Sequence, residues 1–389
     1  MSDNIKIELH LIQNFAPSCL NRDDANAPKD CEFGGVRRAR ISSQCVKRSA
    51  RRSPEAEFSR LLEGLGGKRT RCLALEIAKK VSKSDKPDKQ TLDAVIGIFE
   101  ACGLEEDSKR KGEGASKILV FLDSRAIDDM AGVIFDALPA LLKGKKNVEK
   151  DAIDKLASIL AGAVRVPDIA LFGRMLEVKD STPFGKHNMQ VHAAVQVAHA
   201  ISTHRVDMDF DFFTAVDDLN PEADTGAGMM GETGFNSACF YRYALIDRNQ
   251  LVKNLGGDEA LAHRVIRAFI EASVIAIPTG KQNSFAAQNP PDFGMIVVKK
   301  NGFPCSLANA FAQPVRPDTD ADLIGHSIQR LCELHPKIKH VYGAAGTVDE
   351  SLWHLGYDDR LGQLKGNDRH SFAAALDAAM KAVTAAAEA

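Results

Sequence analysis

Ile5, Ile7, Leu9 and Leu11 alternate with Lys6, Glu8 and His10 before Ile12, the period-2 pattern of a half-buried strand at the start of the chain. Between Pro54 and about Val166 the period changes. Apolar positions recur with helical spacing over Phe58 to Leu65, Cys72 to Val81, Leu92 to Cys102, Ile127 to Leu142 and Ala152 to Leu160. Charged connections at Ser82 to Lys89, Glu105 to Lys117 and Lys143 to Lys150 mark solvated loops, with a short strand at Ile118 to Leu122. This segment reads as a helical insertion.

Val191, Ala194, Val195, Ala198 and Ile201 keep i, i+3, i+4, i+7, i+10 spacing, which predicts an amphipathic helix from Asn188 to Ser202 packed on the sheet. Val206 to Phe213 alternates, Asn220 to Gly234 is rich in Gly, Asp and Glu, and Phe235 to Ile246 is strand-like. Together they predict a long hairpin with an open tip. Further strands are expected at Ser273 to Ile277 and Met295 to Val298, and the Ala-rich tail from Ser371 to Ala389 is expected to be helical.

With 389 residues, 44% of them hydrophobic, the chain can close a sizeable core over two or three domains. Eight cysteines without a CxxC pair fit a reduced, cytoplasmic protein, and the absence of eighteen consecutive apolar residues predicts no membrane partner. The first ten residues resemble no signal peptide, since Asp3, Lys6 and Glu8 interrupt them.

The net charge is only −2, yet from Phe33 to Pro54 every charged side chain is a cation: Arg37, Arg38, Arg40, Lys47, Arg48, Arg51 and Arg52. Ser42 or Ser43 can cap a helix that sets Lys47, Arg48, Arg51 and Arg52 on adjoining stripes of one face. A solvated charged face ordinarily carries interspersed acids. This one has none, which points to a polyanion held by its phosphates without base readout.

Other motifs fail on their own chemistry. Gly226, Gly228 and Gly231 spell GxGxxG, but a polar, Pro-containing stretch precedes them where a dinucleotide turn needs a strand. Asp207, Asp209, Asp211 and Asp218 imitate a calcium loop with Phe212 at the position requiring Gly. His187, His192, His199 and His204 lack i, i+4 spacing, and Cys332 with His335 offers two zinc ligands where four are needed. No metal, cofactor or nucleophile motif is assigned, and no enzymatic activity is expected.

The blocks APSCLNRDD (Ala16 to Asp24) and FGGVRRARISSQCVK (Phe33 to Lys47) resemble the start of a CasC-type backbone subunit of Cascade, the type I-E CRISPR interference complex. DIALFGRM, HAISTHRVD, FTAVDDL, FYRYALI, KQNSFAAQNP and SLANAF follow in the family's order, so the similarity spans about residues 5 to 312. No motif stands out within 54 to 165 or beyond about 315.

The resemblance implies an α+β fold with an RRM-like (ferredoxin-like) palm, a helical fingers insertion and a β-hairpin thumb. The corresponding division is palm at 1–53, fingers at 54–187, palm helix at 188–202, thumb at 203–237 and the rest of the palm at 238–389. It further implies copies stacked along one crRNA, holding its backbone and presenting its bases to target DNA, with other Cascade subunits as partners.

Family matches at Arg22, Lys29, Ser42, Gln44, Lys47 and Arg51, with Arg37, Arg38, Arg40 and Arg48 of the basic stretch, make up the expected RNA-binding set. Met175 and Phe213 match apolar wedges beside a displaced nucleotide, and Thr225 to Gly234 the thumb tip. Backbone subunits of related type III complexes cut RNA with a loop aspartate, which makes Asp23, Asp24 or Asp30 the catalytic alternative. The type I-E blocks argue against it.

Overall fold

The computed structural model describes residues 3–215, 229–316, 322–343 and 346–389. In chain order the elements of the first stretch are β1 (Ile5–Ser18), β2 (Asp30–Phe33), β3 (Val36–Ile41), α1 (Ser43–Arg52), α2 (Glu57–Leu65), β4 (Gly67–Thr70), α3 (Leu73–Ser82), α4 (Lys89–Cys102), β5 (Val120–Asp123), α5 (Ala126–Leu141), α6 (Lys146–Gly162) and α7 (Pro167–Phe172). They continue with β6 (Val195–Val197), β7 (Ala200–Ser202), β8 (Asp209–Ala215), β9 (Met229–Asp247), α8 (Arg248–Asn254), α9 (Glu259–Ile275), α10 (Gln282–Phe285), β10 (Phe293–Lys300), α11 (Leu323–Tyr342), β11 (Thr347–His354) and α12 (Phe372–Glu388).

The chain divides into two compact units, one of residues 1–59, 196–248 and 266–389, the other of residues 60–195 and 249–265. Helices and antiparallel sheet together make an α+β fold. The first unit is built on a sheet of order β11-β10-β1-β9-β7-β3-β2, with β8 paired to the far part of β9. β1 lies at its centre, antiparallel to β9 (Ile7↔Ile246) and to β10 (Ile7↔Val298).

That central place corrects the half-buried reading of β1, because Glu8 and His10 are as inaccessible as their apolar neighbours. Their burial is tolerated because each finds polar partners. Tyr241 Oη lies 2.9 Å from His10 Nδ1 and accepts the Leu307 amide at 2.9 Å, while Glu8 receives the Tyr243 hydroxyl at 3.2 Å and pairs with Lys299 at 2.9 Å. Around them Ile12, Phe293, Met295, Val297, Phe311, Ile328 and Leu331 form the core between the sheet and α11.

The second unit follows the helical periodicity of the sequence. Ile77, Val95, Phe99, Leu122, Met130, Ile134, Leu156 and Leu160 share one core, each worth roughly 1.5 to 3 kcal/mol when withdrawn from water. The Asp88 carboxylate caps α4 through the Thr91 amide, and Gly103, at φ 110°, ends it.

Two expectations fail. The helix predicted over Asn188 to Ser202 is extended chain, with β6 and β7 where its middle and end should be. β7 fills the slot between β3 and β9, pairing Arg40↔Ile201 and Ile201↔Tyr241, and Val195 and Val197 are β-branched residues suited to a strand. The ladder bonds of two neighbouring strands override a spacing that a short window cannot assign. The strand expected at Ser273 to Ile277 is instead the end of α9 and the first two residues after it, and Ser273 donates to Phe269 O at 2.7 Å within the helix.

Candidate nucleic-acid interface

α1 starts where the sequence places it. Ser42 Oγ accepts the Cys45 amide at 3.3 Å and the Ser42 amide donates to Asn21 Oδ1 at 2.8 Å, so the cap is tied to the preceding loop. Ser49 and Ala50 form the buried side of the helix, which leaves Gln44, Arg48 and Arg52 exposed and Lys47 and Arg51 half-buried. Arg51 and Arg52 in the last turn also complement the helix dipole.

β2 and β3 form a hairpin whose two-residue turn, Gly34–Gly35, has φ of 63° and 73°, a conformation that favours glycine at both positions. Arg37 is exposed and paired with Asp30, and Arg40 donates to Asp30 O at 3.0 Å. Arg38 does not belong to the RNA-binding set. Its side chain is fully buried and donates to Phe33 O, Ser202 O and Phe311 O at 3.0, 3.2 and 2.8 Å, so its charge holds three backbone segments together out of reach of a strand.

The loop before β2 is equally ordered. Asp23 Oδ1 accepts the amides of Ala25 and Ala27, both at 2.9 Å, and Arg22 donates to Asn26 Oδ1 at 2.6 Å. Of the three candidate catalytic carboxylates, Asp23 thus shapes its own turn, Asp30 sits in β2 against Arg37, and Asp24 stands exposed. Lys29 is half-buried at the end of this loop.

α1 and this loop form one wall of an open cleft of about 940 Å³. Arg22, Arg48 and Arg52 line it, and the facing wall comes from residues 275–288, including Ile275, Ile277, Gln282 and Asn283. Gly280 permits the approach of this wall, since a Cβ there would collide with the Leu20 carbonyl. Lys281 and Ala286 flank α10 in the left-handed region at φ 46° and 48°, backbone strain of a kind that gathers at binding sites. Lys281 Nζ reaches Thr233 Oγ1 at 3.3 Å. Lys281, Gln282 and Asn283 have no assigned site role in the sequence, although the KQNSFAAQNP block contains all three, and Arg52 stands in the all-cation segment without being in the expected RNA-binding set.

In the second unit Met175 is 77% exposed between buried Arg174 and Leu176. Arg174 Nε donates to Met189 O at 2.8 Å and Nη1 to Leu160 O at 3.0 Å; burial pulls its pKa down to about 10, so it stays cationic. Asp168, also buried, accepts the Gly67 amide at 2.9 Å. The conspicuous polar residues of DIALFGRM therefore fix a loop whose product is a displayed methionine.

β8 and β9 form the predicted hairpin, pairing Asp209↔Phe235 through Ala215↔Met229. Phe213 is 41% exposed, and Phe210 and Phe212 are 61% and 65% exposed, so Phe213 is not a core residue of this chain. Of the expected tip, Thr225 to Gly234, residues 225–228 lie outside the described residues and 229–234 already belong to β9.

Among the described residues His354, Asp358 and Asp368 form a group elsewhere that a metal ion could be asked to fill. His354 Nε2 is 3.5 Å from Asp368 and 4.0 Å from Asp358, but its Nδ1 accepts the Tyr357 amide at 2.8 Å. The neutral ring therefore keeps its proton on Nε2, which removes the lone pair a metal would need. Among the described residues no helix is long and apolar enough to cross a membrane.

The model of the CT1975-like protein family matches residues 7–381, well past the last motif legible by eye. A chain of a solved "CRISPR RNA-guided surveillance complex, pre-nicking" superposes with a TM-score of 0.81 at 30% identity, over 97% of this chain and 99% of that one. A chain of another "CRISPR RNA-guided surveillance complex" shares the fold with a TM-score of 0.71 at 23% identity, again over 97% and 99%. No curated protein matches significantly.

Proposed function

Since this chain belongs to the CT1975-like protein family, the Cascade backbone-type family its motifs resemble, we propose that it is a non-catalytic backbone subunit of a type I-E Cascade complex. In this reading several copies stack along a crRNA in the cytoplasm, beside other Cascade subunits. They hold its phosphate backbone and leave its bases to pair with target DNA. The palm is the RRM-like first unit, the fingers the helical second unit and the thumb the β8–β9 hairpin.

The observation that carries the proposal is α1, a capped helix of four cations, two of which, Arg48 and Arg52, are exposed and line a 940 Å³ cleft with Arg22, beside Asp23 and Glu55. Arg offers bidentate phosphate contacts and Lys a point charge, so affinity is independent of sequence. Arg22, Lys29, Arg40, Gln44, Lys47, Arg48 and Arg51 remain in the set, Arg37 with its charge shared by Asp30, and Arg52 joins them; Ser42 leaves it, because it is buried and its hydroxyl and amide are spent on the α1 cap and Asn21. The bonds already made by Asp23 and Asp30 support a non-catalytic role.

Purified protein should carry RNA, visible as a raised 260 nm absorbance. Lys47→Glu with Arg51→Glu should weaken RNA binding uniformly across sequences and flatten the salt dependence by roughly 0.7 per lost phosphate contact. Unchanged affinity and slope would overturn the assignment. Cleavage of a complementary RNA that disappears with Asp24→Asn would establish the catalytic alternative instead.

A further inference from the structure

Ser43 opens α1, and its amide, one of the donors a helix start leaves unmatched, goes to His199 Nδ1 at 3.0 Å. His199 lies between β6 and β7, in the segment expected to be helical. A ring nitrogen that accepts an amide proton has its lone pair engaged, so the single proton of the neutral imidazole is on Nε2. Protonating Nδ1 would set two N–H groups against each other. Partial desolvation, then Arg40 and Lys29, also hold the His199 pKa below its ordinary value.

The ring is exposed, and among the described residues Nε2 has no hydrogen-bond partner. The surface beside the first turn of α1 therefore offers an uncharged N–H donor close to two cations.

We infer that His199 is a contact residue for the bound RNA strand: Nε2–H donates to a backbone oxygen while Nδ1 fixes the start of α1. The inference rests on the reading of α1 as an RNA-binding helix. It adds a contact of a different kind. A cation binds phosphate by releasing counterions, whereas a neutral donor adds affinity without altering the salt slope.

Asparagine can place its oxygen where Nδ1 sits but cannot reach the Nε2 position, so His199→Asn separates the two roles. Anisotropy titrations of a labelled single-stranded RNA should show about fivefold weaker binding, the equivalent of one hydrogen bond, with wild-type salt slope and melting temperature. An equal loss on DNA of the same sequence assigns the oxygen to phosphate; a loss confined to RNA assigns it to the 2′-hydroxyl.

A variant that binds like wild type, or one whose salt slope flattens as a lost cation's would, overturns the inference and leaves the proposed function standing. Wild-type protein that binds no RNA overturns both.

Discussion

Phe213 and Gly231 face each other across the β8–β9 ladder, and a Cβ on the glycine would collide with the far edge of the phenyl ring. The aromatic face therefore rests on bare backbone, which holds a partly exposed ring in place where no core surrounds it. Gly231→Ala must push the ring away. The hairpin is solvated there, so stability should change by less than about 1 kcal/mol. Engagement of target DNA by the assembled complex should nevertheless fall, as it should for Phe213→Ala, with guide binding intact. Wild-type target binding by both variants would show that the ring is no wedge.

Arg174 and Met175 are adjacent and should behave oppositely. Arg174→Met withdraws the donors from Met189 O and Leu160 O inside the second unit and should cost about 2 to 4 kcal/mol, read as a lowered melting temperature. Met175→Ala alters an exposed side chain and should leave stability within about 0.5 kcal/mol while changing target engagement. A large stability loss for Met175→Ala would make the methionine structural.

These pairs mark where the sequence was legible. α1 could be read because its determinants are local: a serine cap, a run of cations and a following Pro54. Arg38 could not be told from Arg37 and Arg40, because what buries it is the carbonyl of Phe311, far along the chain. The 188–202 segment was misread for the same reason, its fate set by an open slot between β3 and β9. The far wall of the cleft was invisible as a wall. KQNSFAAQNP could be recognised as a block, but only the fold brings Gln282 and Asn283 opposite Arg48.

Glu350 gives a pH prediction. Burial alone would raise its pKa, but His335 Nε2 and Lys339 Nζ, each 2.8 Å from Oε1, hold it down to about 2. A carboxylate depressed on folding stabilises the folded state above its unfolded value, here about 4.5, and that contribution is lost as pH falls from there toward about 2. Wild type should lose on the order of 2 kcal/mol over this window relative to Glu350→Gln, which cannot titrate. Parallel melting curves for the two proteins from pH 5 to pH 2.5 would remove the assignment.

The last prediction concerns assembly. Isolated copies, at net charge −2, lack strong mutual repulsion, but their all-cation segment must be neutralised before it can be aligned from copy to copy. RNA should therefore drive the oligomer. Phe210 and Phe212, exposed beside Asp209 and Asp211 on the hairpin, are costly surface in a lone subunit and suit a contact with the next copy. A head-to-tail contact of this kind joins unlike surfaces and gives an open helix when the rotation from copy to copy does not close into a ring. Native mass spectrometry of this chain alone on RNAs of increasing length should show mass growing in steps with length. Phe210→Ser with Phe212→Ser should leave monomer stability unchanged and shorten the series. A ring of constant size, or a monomer at every RNA length, would rule out stacking along the guide.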